Sequence, residues 1–379
     1  MRRVGRVRRV GRVGGALFII VLLVCSNALA AQRGAKDPET LAKEGVAALN
    51  ERRFDDALTA FTAAAVGLPN DGNVALGAGF AAFMLGRSRD AETWFVRALK
   101  LQPNLMQASI MLGDLQHRGG RLDEAIATYE AALKLAPKGN TDQLEGPLAA
   151  WRKEQQLVGR FSRSQGTHFT VLFDGPADEF LARRVVDHLE SAYQRVGESL
   201  RAYPTQTITV VLYTTQQFQD ITRMPAWSGA SYDGRIHVPV RGALQQSEQF
   251  DRVLTHELVH AVVANIGGPT VPVWMNEGLA SALEPGGVEQ SDAILAAVSV
   301  RPPLEQLHGS FTGLNGAQAQ LAYAYSTYAV RRIMQLRGAN AIVGLLRDLA
   351  RGVDFRTAFG KHVEMRYEDF DAMVRRDSR

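Results

Sequence analysis

The residues with the most chemical content are His256-Glu257-Leu258-Val259-His260, an H-E-x-x-H run. Val253, Leu254, Leu258, Ala261 and Val262 recur around it at three- and four-residue steps, and Ser247 is available as an N-cap, so the run is predicted on a helix. Residues four apart on a helix stand one turn above each other. That brings both imidazoles to one face, about 5 to 6 Å apart at Cβ, close enough to share one Zn²⁺. Glu257 lies roughly 100° round the helix from His256, beside the ion rather than on it, where a carboxylate can take a proton from water. The bland alternative is a pair of partly buried, hydrogen-bonded histidines. It leaves two imidazoles and a carboxylate crowded on a half-apolar face, a desolvation cost that a bound cation offsets.

Catalytic zinc commonly has three protein ligands and one open position, so a third ligand is expected downstream. The metzincin arrangement is excluded, because Val263 stands where that motif needs glycine and Ile266 where it needs histidine. A carboxylate remains. The stretch Pro272 to Ser281 (PVWMNEGLAS) opens with a helix-initiating proline and places Glu277 on a second short helix, 17 residues beyond His260. Glu277 is the expected third ligand, with Glu284 and Glu289 competing on spacing alone. Gly278 costs a helix about 1 kcal/mol relative to alanine, and its expected use is to let this helix approach the H-E-x-x-H helix closely.

The elements that must position these groups follow from the change of period after Gly166. His168 to Phe173 (HFTVLF) and Thr207 to Tyr213 (TITVVLY) read as strands. Between them, Asp178 to Leu200 carries apolar residues at helical spacing and reads as an amphipathic crossover helix. Tyr232 to Val240 (YDGRIHVPV) reads as a hairpin-associated or edge strand, since Pro239 cannot donate within a central ladder. From Ser247 onward the pattern is largely helical. A small sheet followed by a helical block is an α+β arrangement.

H-E-L-V-H-A followed by P-x-W-M-N-E-G-L-A resembles the gluzincin metallopeptidases, the group of thermolysin and aminopeptidase N, and especially their bacterial peptidase MA-like branch. The similarity spans about residues 166 to 376, including Gly229 to Val240, Tyr323-Ala324-Tyr325-Ser326 and Gly338 to Phe370. It implies a zincin-like fold, one Zn²⁺ on His256, His260 and Glu277, and Glu257 as general base. Ser281 stands where thermolysin-type enzymes place an acid that orients the first histidine, which puts that support of His256 in doubt. An oxyanion also needs a hydrogen-bond donor. Tyr323 matches the position at which similar family members show tyrosine, and is favoured over Tyr325; a core aromatic is the competing reading.

The first part of the chain has another period. Gly45, Gly79 and Gly113 are 34 residues apart, and so are Ala57, Ala91 and Ala125, Phe61, Phe95 and Tyr129, Ala64, Ala98 and Ala132, and Pro69, Pro103 and Pro137. Small residues let two helices approach, the aromatic fills the hollow beside them, and proline ends the second helix. The set resembles the tetratricopeptide repeat, in three units over residues 38 to 139. It implies an α-α superhelix that binds a peptide or partner protein, or a scaffold packed only on its own C-terminal domain. Residues 140 to 165, with the charged stretch Trp151-Arg152-Lys153-Glu154, are expected to give a capping helix with a polar outer face, then a linker.

Residues 1 to 30 hold six arginines and no acid, then the apolar run Ala16 to Cys25 and the small-x-small pattern Ala28-Leu29-Ala30. This reads as a cleaved export signal, giving a mature start near Ala31 and a periplasmic or extracytoplasmic location, because ten apolar residues fall short of the ~20 needed to span a membrane; the alternative is an uncleaved N-terminal anchor. Cys25 is the sole cysteine, so disulfides and thiol chemistry are excluded from the mature chain. Subtracting the six arginines from the formal net charge of +4 leaves −2 for the rest, which gives no electrostatic case for nucleic acid. The reading is an exported zinc metallopeptidase, expected to act as an endopeptidase, with repeats that recruit substrate or partner. The alternative is a repeat-based interaction scaffold with a catalytically idle zincin-like domain.

Overall fold

A computed structural model describes residues 36–136, 141–175, 178–222, 229–240, 248–298, 300–311 and 313–376. The stretch read as an export signal, Pro137 and Ser247 lie outside the described residues. Three helix hairpins come first: α1 (Pro38–Asn50) with α2 (Phe54–Gly67), α3 (Gly72–Met84) with α4 (Ser88–Leu101), and α5 (Met106–Arg118) with α6 (Leu122–Leu135). The period of 34 has a local steric cause. A Cβ added at Gly45, Gly79 or Gly113 would come within 2.9, 2.6 or 2.4 Å of the ring of Phe61, Phe95 or Tyr129 in the same hairpin. The repeating alanines of the second helices are buried beside those rings.

Helix α7 (Asp142–Val158) is more than a polar cap. Its Leu144, Leu148 and Trp151 close the third hairpin over Leu122 and Tyr129, while Leu157 and Val158 pack on Leu172, Val211 and Phe218 of the following domain. Arg152 and Lys153 face solvent as expected, but Glu154 is fully buried. The helix therefore bridges the two parts of the chain.

A five-stranded mixed sheet follows, built from β1 (Ser162–Gln165), β2 (Phe169–Phe173), β3 (Ile208–Tyr213), β4 (Ser231–Tyr232) and β5 (Ile236–Pro239) in the order β1-β2-β3-β5-β4. Helix α8 (Glu179–Leu200) is the crossover between parallel β2 and β3, and α9 (Thr215–Thr222) follows β3. The sheet starts at Ser162, inside the stretch read as linker, because β1 pairs antiparallel with β2. Strand β5 lies parallel to β3 and antiparallel to β4, so β4, not β5, is the outer strand. Val210, Leu212, Ile236 and Val238 point into the main core, whereas Leu172, Val211 and Tyr213 point at α7 and α9. Burial on both faces explains why β3 runs apolar from Val210 to Tyr213 rather than alternating.

Among the described residues seven α-helices complete the domain: α10 (Glu248–Gly267), α11 (Val273–Leu283), α12 (Gly287–Ala296), α13 (Gly316–Arg337), α14 (Ala339–Ala350), α15 (Phe355–Val363) and α16 (Tyr367–Arg376). Leu254, Leu258 and Val262 of α10 and Trp274, Met275 and Leu279 of α11 share one core with the sheet. Gly278 does serve a close approach, but to a different helix from the one expected. A Cβ there would meet the Ser326 carbonyl oxygen of α13 at 2.4 Å. Among the described residues no helix is long and apolar enough to cross a membrane.

Candidate active site

His256 and His260 sit one turn apart on α10 with ring centroids 4.7 Å apart and planes at 85°. Glu277 arrives from α11, and its Oε2 lies 3.3 Å from His256 Nε2 and 3.5 Å from His260 Nε2. One donor atom from each of the three lies within 4.8 Å of the others. The far ring nitrogens are occupied: His256 Nδ1 is 2.7 Å from Glu284 Oε2 and His260 Nδ1 is 3.0 Å from Asn276 Oδ1. Those contacts leave both Nε2 atoms turned toward Glu277, whose buried Oε2 has no directed hydrogen bond. Two imidazole nitrogens and a carboxylate oxygen converging around a buried, unsatisfied atom is the donor set a zinc ion takes.

The acid that orients His256 comes from Glu284. It was open in the sequence only as a competing ligand, and Ser281 had left this support in doubt. Glu284 is buried and faces Nδ1 rather than Nε2; its Oε1 accepts from Arg252 Nε at 2.7 Å. Glu289 is exposed and takes no part. A signal was available: Glu284 is seven residues, two helical turns, beyond Glu277 and so on the same face.

Burial alone would depress the His256 imidazole, but the neighbouring Glu277 and Glu284 carboxylates overcome it and push it up to about 10. Burial would raise the Glu277 carboxyl, yet the two imidazoles hold it far below the ordinary carboxylate range. The group is thus a charged cluster in which a cation would compete with protons for the same lone pairs. Glu257 differs. Burial raises it, with the two imidazoles pulling the other way, so it holds a proton more readily than a free glutamate.

Tyr323 and Tyr325, two residues apart on α13, part company. Tyr325 is fully buried, with Arg301 over its ring at 5.6 Å. Tyr323 is 37% exposed and packs edge-on against Phe311 at 5.4 Å. Its hydroxyl is raised by burial and then by the charges of Glu277, Glu257 and Glu284.

The family comparisons agree with this architecture. The Peptidase MA superfamily matches residues 190–374, and the tetratricopeptide repeat matches residues 42–105 and 81–140. The chain therefore carries a tetratricopeptide repeat array joined to a Peptidase MA superfamily domain, an α-α superhelix ahead of a zincin-like α+β unit. No curated protein matches it. Among solved structures it is similar to the first TPR of Spaghetti (RPAP3) bound to HSP90 peptide SRMEEVD, at 20% identity over 31% of this chain and 95% of that one, with a TM-score of 0.29. It is also similar to the TPR domain of P58(IPK), at 14% identity over 90% and 98% with a TM-score of 0.32, and to yeast Tom70, at 11% over 90% and 63% with a TM-score of 0.29.

Proposed function

We propose that the chain is an exported zinc-dependent endopeptidase. The observation that carries the reading is the convergence of His256 Nε2, His260 Nε2 and Glu277 Oε2, each imidazole fixed from behind, with the Glu257 carboxylate beside them. Zinc, when bound by those three, supplies Lewis-acid polarisation of water and of the scissile carbonyl. Glu257 takes the proton of the attacking water and returns it to the leaving amine. Tyr323 donates a hydrogen bond to the oxyanion. An extended peptide adds to the outer side of β4, the last strand of the sheet among the described residues, by main-chain pairing. A strand-like bound segment needs no free terminus, which favours internal cleavage.

Export rests on the arginine-rich start, the apolar run and Ala28-Leu29-Ala30, and N-terminal sequencing of the exported protein tests it: a start near Ala31 is expected, and recovery of Met1 contradicts it. The peptidase reading is tested by metal analysis and hydrolysis of an unstructured protein on the purified mature chain. One zinc per chain with cleavage is expected. Substoichiometric zinc without cleavage favours the scaffold with an idle domain.

A further inference from the structure

The repeat array meets the second domain along one edge, at the turn between the first and second helix of each hairpin. Three such turns recur at the repeat period with left-handed backbone, at Arg52, Gly86 and Gly120. Each faces the domain. A Cβ added at Gly352, after α14, would lie 3.0 Å from the Arg52 carbonyl oxygen and the Phe54 nitrogen. One at Gly268, directly after α10, would lie 3.7 Å from the Met84 carbonyl oxygen and 3.9 Å from Gly86 Cα. One at Gly234, in the β4–β5 turn, would lie 2.6 Å from Arg118 Cβ and 2.9 Å from the Arg118 carbonyl oxygen. All three are glycines with positive φ, which disfavours a side chain at each, and at Gly234 and Gly352 the close approach leaves no room for one either.

The third contact continues inward as a buried polar cluster. Arg235, next to Gly234, donates from Nη1 to Glu154 Oε1 at 2.8 Å and from Nη2 to Glu154 Oε2 at 2.9 Å, a bidentate pair between the hairpin and α7. His117 Nε2, at the end of α5, lies between the two, 3.1 Å from Glu154 Oε2 and 2.6 Å from Arg235 Nη2. Tyr213 of β3 donates to Glu154 Oε1 at 3.1 Å, and the His117 ring stacks on Trp151 at 4.7 Å. On the hairpin side, Asp233 Oδ1 accepts from the Arg235 backbone at 3.2 Å and lies 2.9 Å from His237 Nε2. Glu154, Arg235 and His237 are each at most 2% exposed. A buried ion pair is weak evidence for net stability, since a hydrophobic replacement of similar volume is often as good. What it fixes is register: only one placement of the hairpin satisfies both forks.

We propose that the repeat array and α7 act as a clamp, through Glu154, His117 and the Arg118 backbone, that positions the β4–β5 hairpin and thereby the strand on which the peptide substrate lies. The use of β4 by substrate rests on the peptidase reading above. Glu154, His117 and Arg235 are positioning residues; none touches the reacting atoms.

The test uses the mature full-length chain with two independent perturbations. Glu154→Gln removes the charge that holds Arg235, and Gly234→Ala pushes the turn off the Arg118 backbone. Bound zinc, kcat and KM on an unstructured peptide, and amide hydrogen exchange are read on both. The expected result is parental zinc, kcat within about threefold, KM raised about tenfold, and faster exchange over residues 229–239 with α10 unchanged. Glu154→Asp, which keeps the charge, should recover most of the loss. Parental KM and parental hairpin exchange in both variants overturn the clamp, as does exchange that rises evenly across the domain with loss of zinc. If the parent protein binds zinc but hydrolyses nothing, the peptidase reading fails. Hairpin exchange then still decides whether the array holds the hairpin.

Discussion

Replacing Glu284 by glutamine separates an orienting acid from a metal ligand. Glu284 Oε2 is 2.7 Å from His256 Nδ1, and its other oxygen accepts from Arg252. Glutamine keeps the length and can still accept from Nδ1–H, so the loss is the charge and not the contact. A charge-assisted hydrogen bond is worth roughly twice a neutral one, a difference of about 1 to 1.5 kcal/mol, or close to tenfold in affinity. Removing the contact altogether, as in Glu284→Ala, should approach the hundredfold (about 2.7 kcal/mol) upper end for outer partners of metal-bound histidine. The freed Arg252 adds little cost, because its side chain is 32% exposed and can turn to water. The assay is competitive titration of zinc against a chromophoric chelator at fixed pH. Glu277→Ala should lose far more than either variant, since it removes a direct ligand. Parental affinity in both Glu284 variants, or a loss in Glu284→Gln equal to that in Glu277→Ala, refutes the assignment.

Tyr323→Phe should lower kcat by about 10² to 10³ if it removes the oxyanion donor, with zinc and KM retained, whereas Tyr325→Phe should leave steady-state rates unchanged. Equal effects of the two would return Tyr323 to a packing role. The Glu154 carboxyl gives a pH prediction. Burial would raise it, but His117 and Arg235 hold it at about 2 against an ordinary 4.5, so the unfolded chain binds the proton first. Its stabilisation is full above about 4.5 and lost as the pH falls toward 2. Thermal melts of Glu154→Gln should therefore show a flatter acid limb than the parent; an identical limb contradicts the ion pair.

What the sequence made legible was local. Gly45 meets Phe61 within one hairpin and the pattern repeats, so spacing alone exposed it. His256 and His260 share a helix face by the geometry of one turn. Contacts between distant segments were not legible. Gly278 signalled a close approach, but nothing in its neighbourhood said that the partner was Ser326 rather than α10. Glu154 lies in a charged stretch that reads as a solvated face, because its partners His117 and Arg235 are 37 and 81 residues away. Of the two readings of Tyr232 to Val240, the hairpin-associated one holds and the edge one does not: Pro239 argued against a central strand, yet β4 pairs only with Ile236 and His237, so Pro239 lies beyond the end of the outer ladder.

The central claim is that Glu257 acts on water while His256, His260 and Glu277 hold the metal, and Glu257→Gln tests it most directly. The amide is nearly isosteric but cannot take the proton, and losing a general base typically lowers rates by about 10² to 10⁴. Zinc content and peptide hydrolysis should be measured on the same preparation of this variant and of the parent. The account predicts parental zinc with hydrolysis down by at least about a hundredfold; hydrolysis at the parental rate with zinc bound would contradict it.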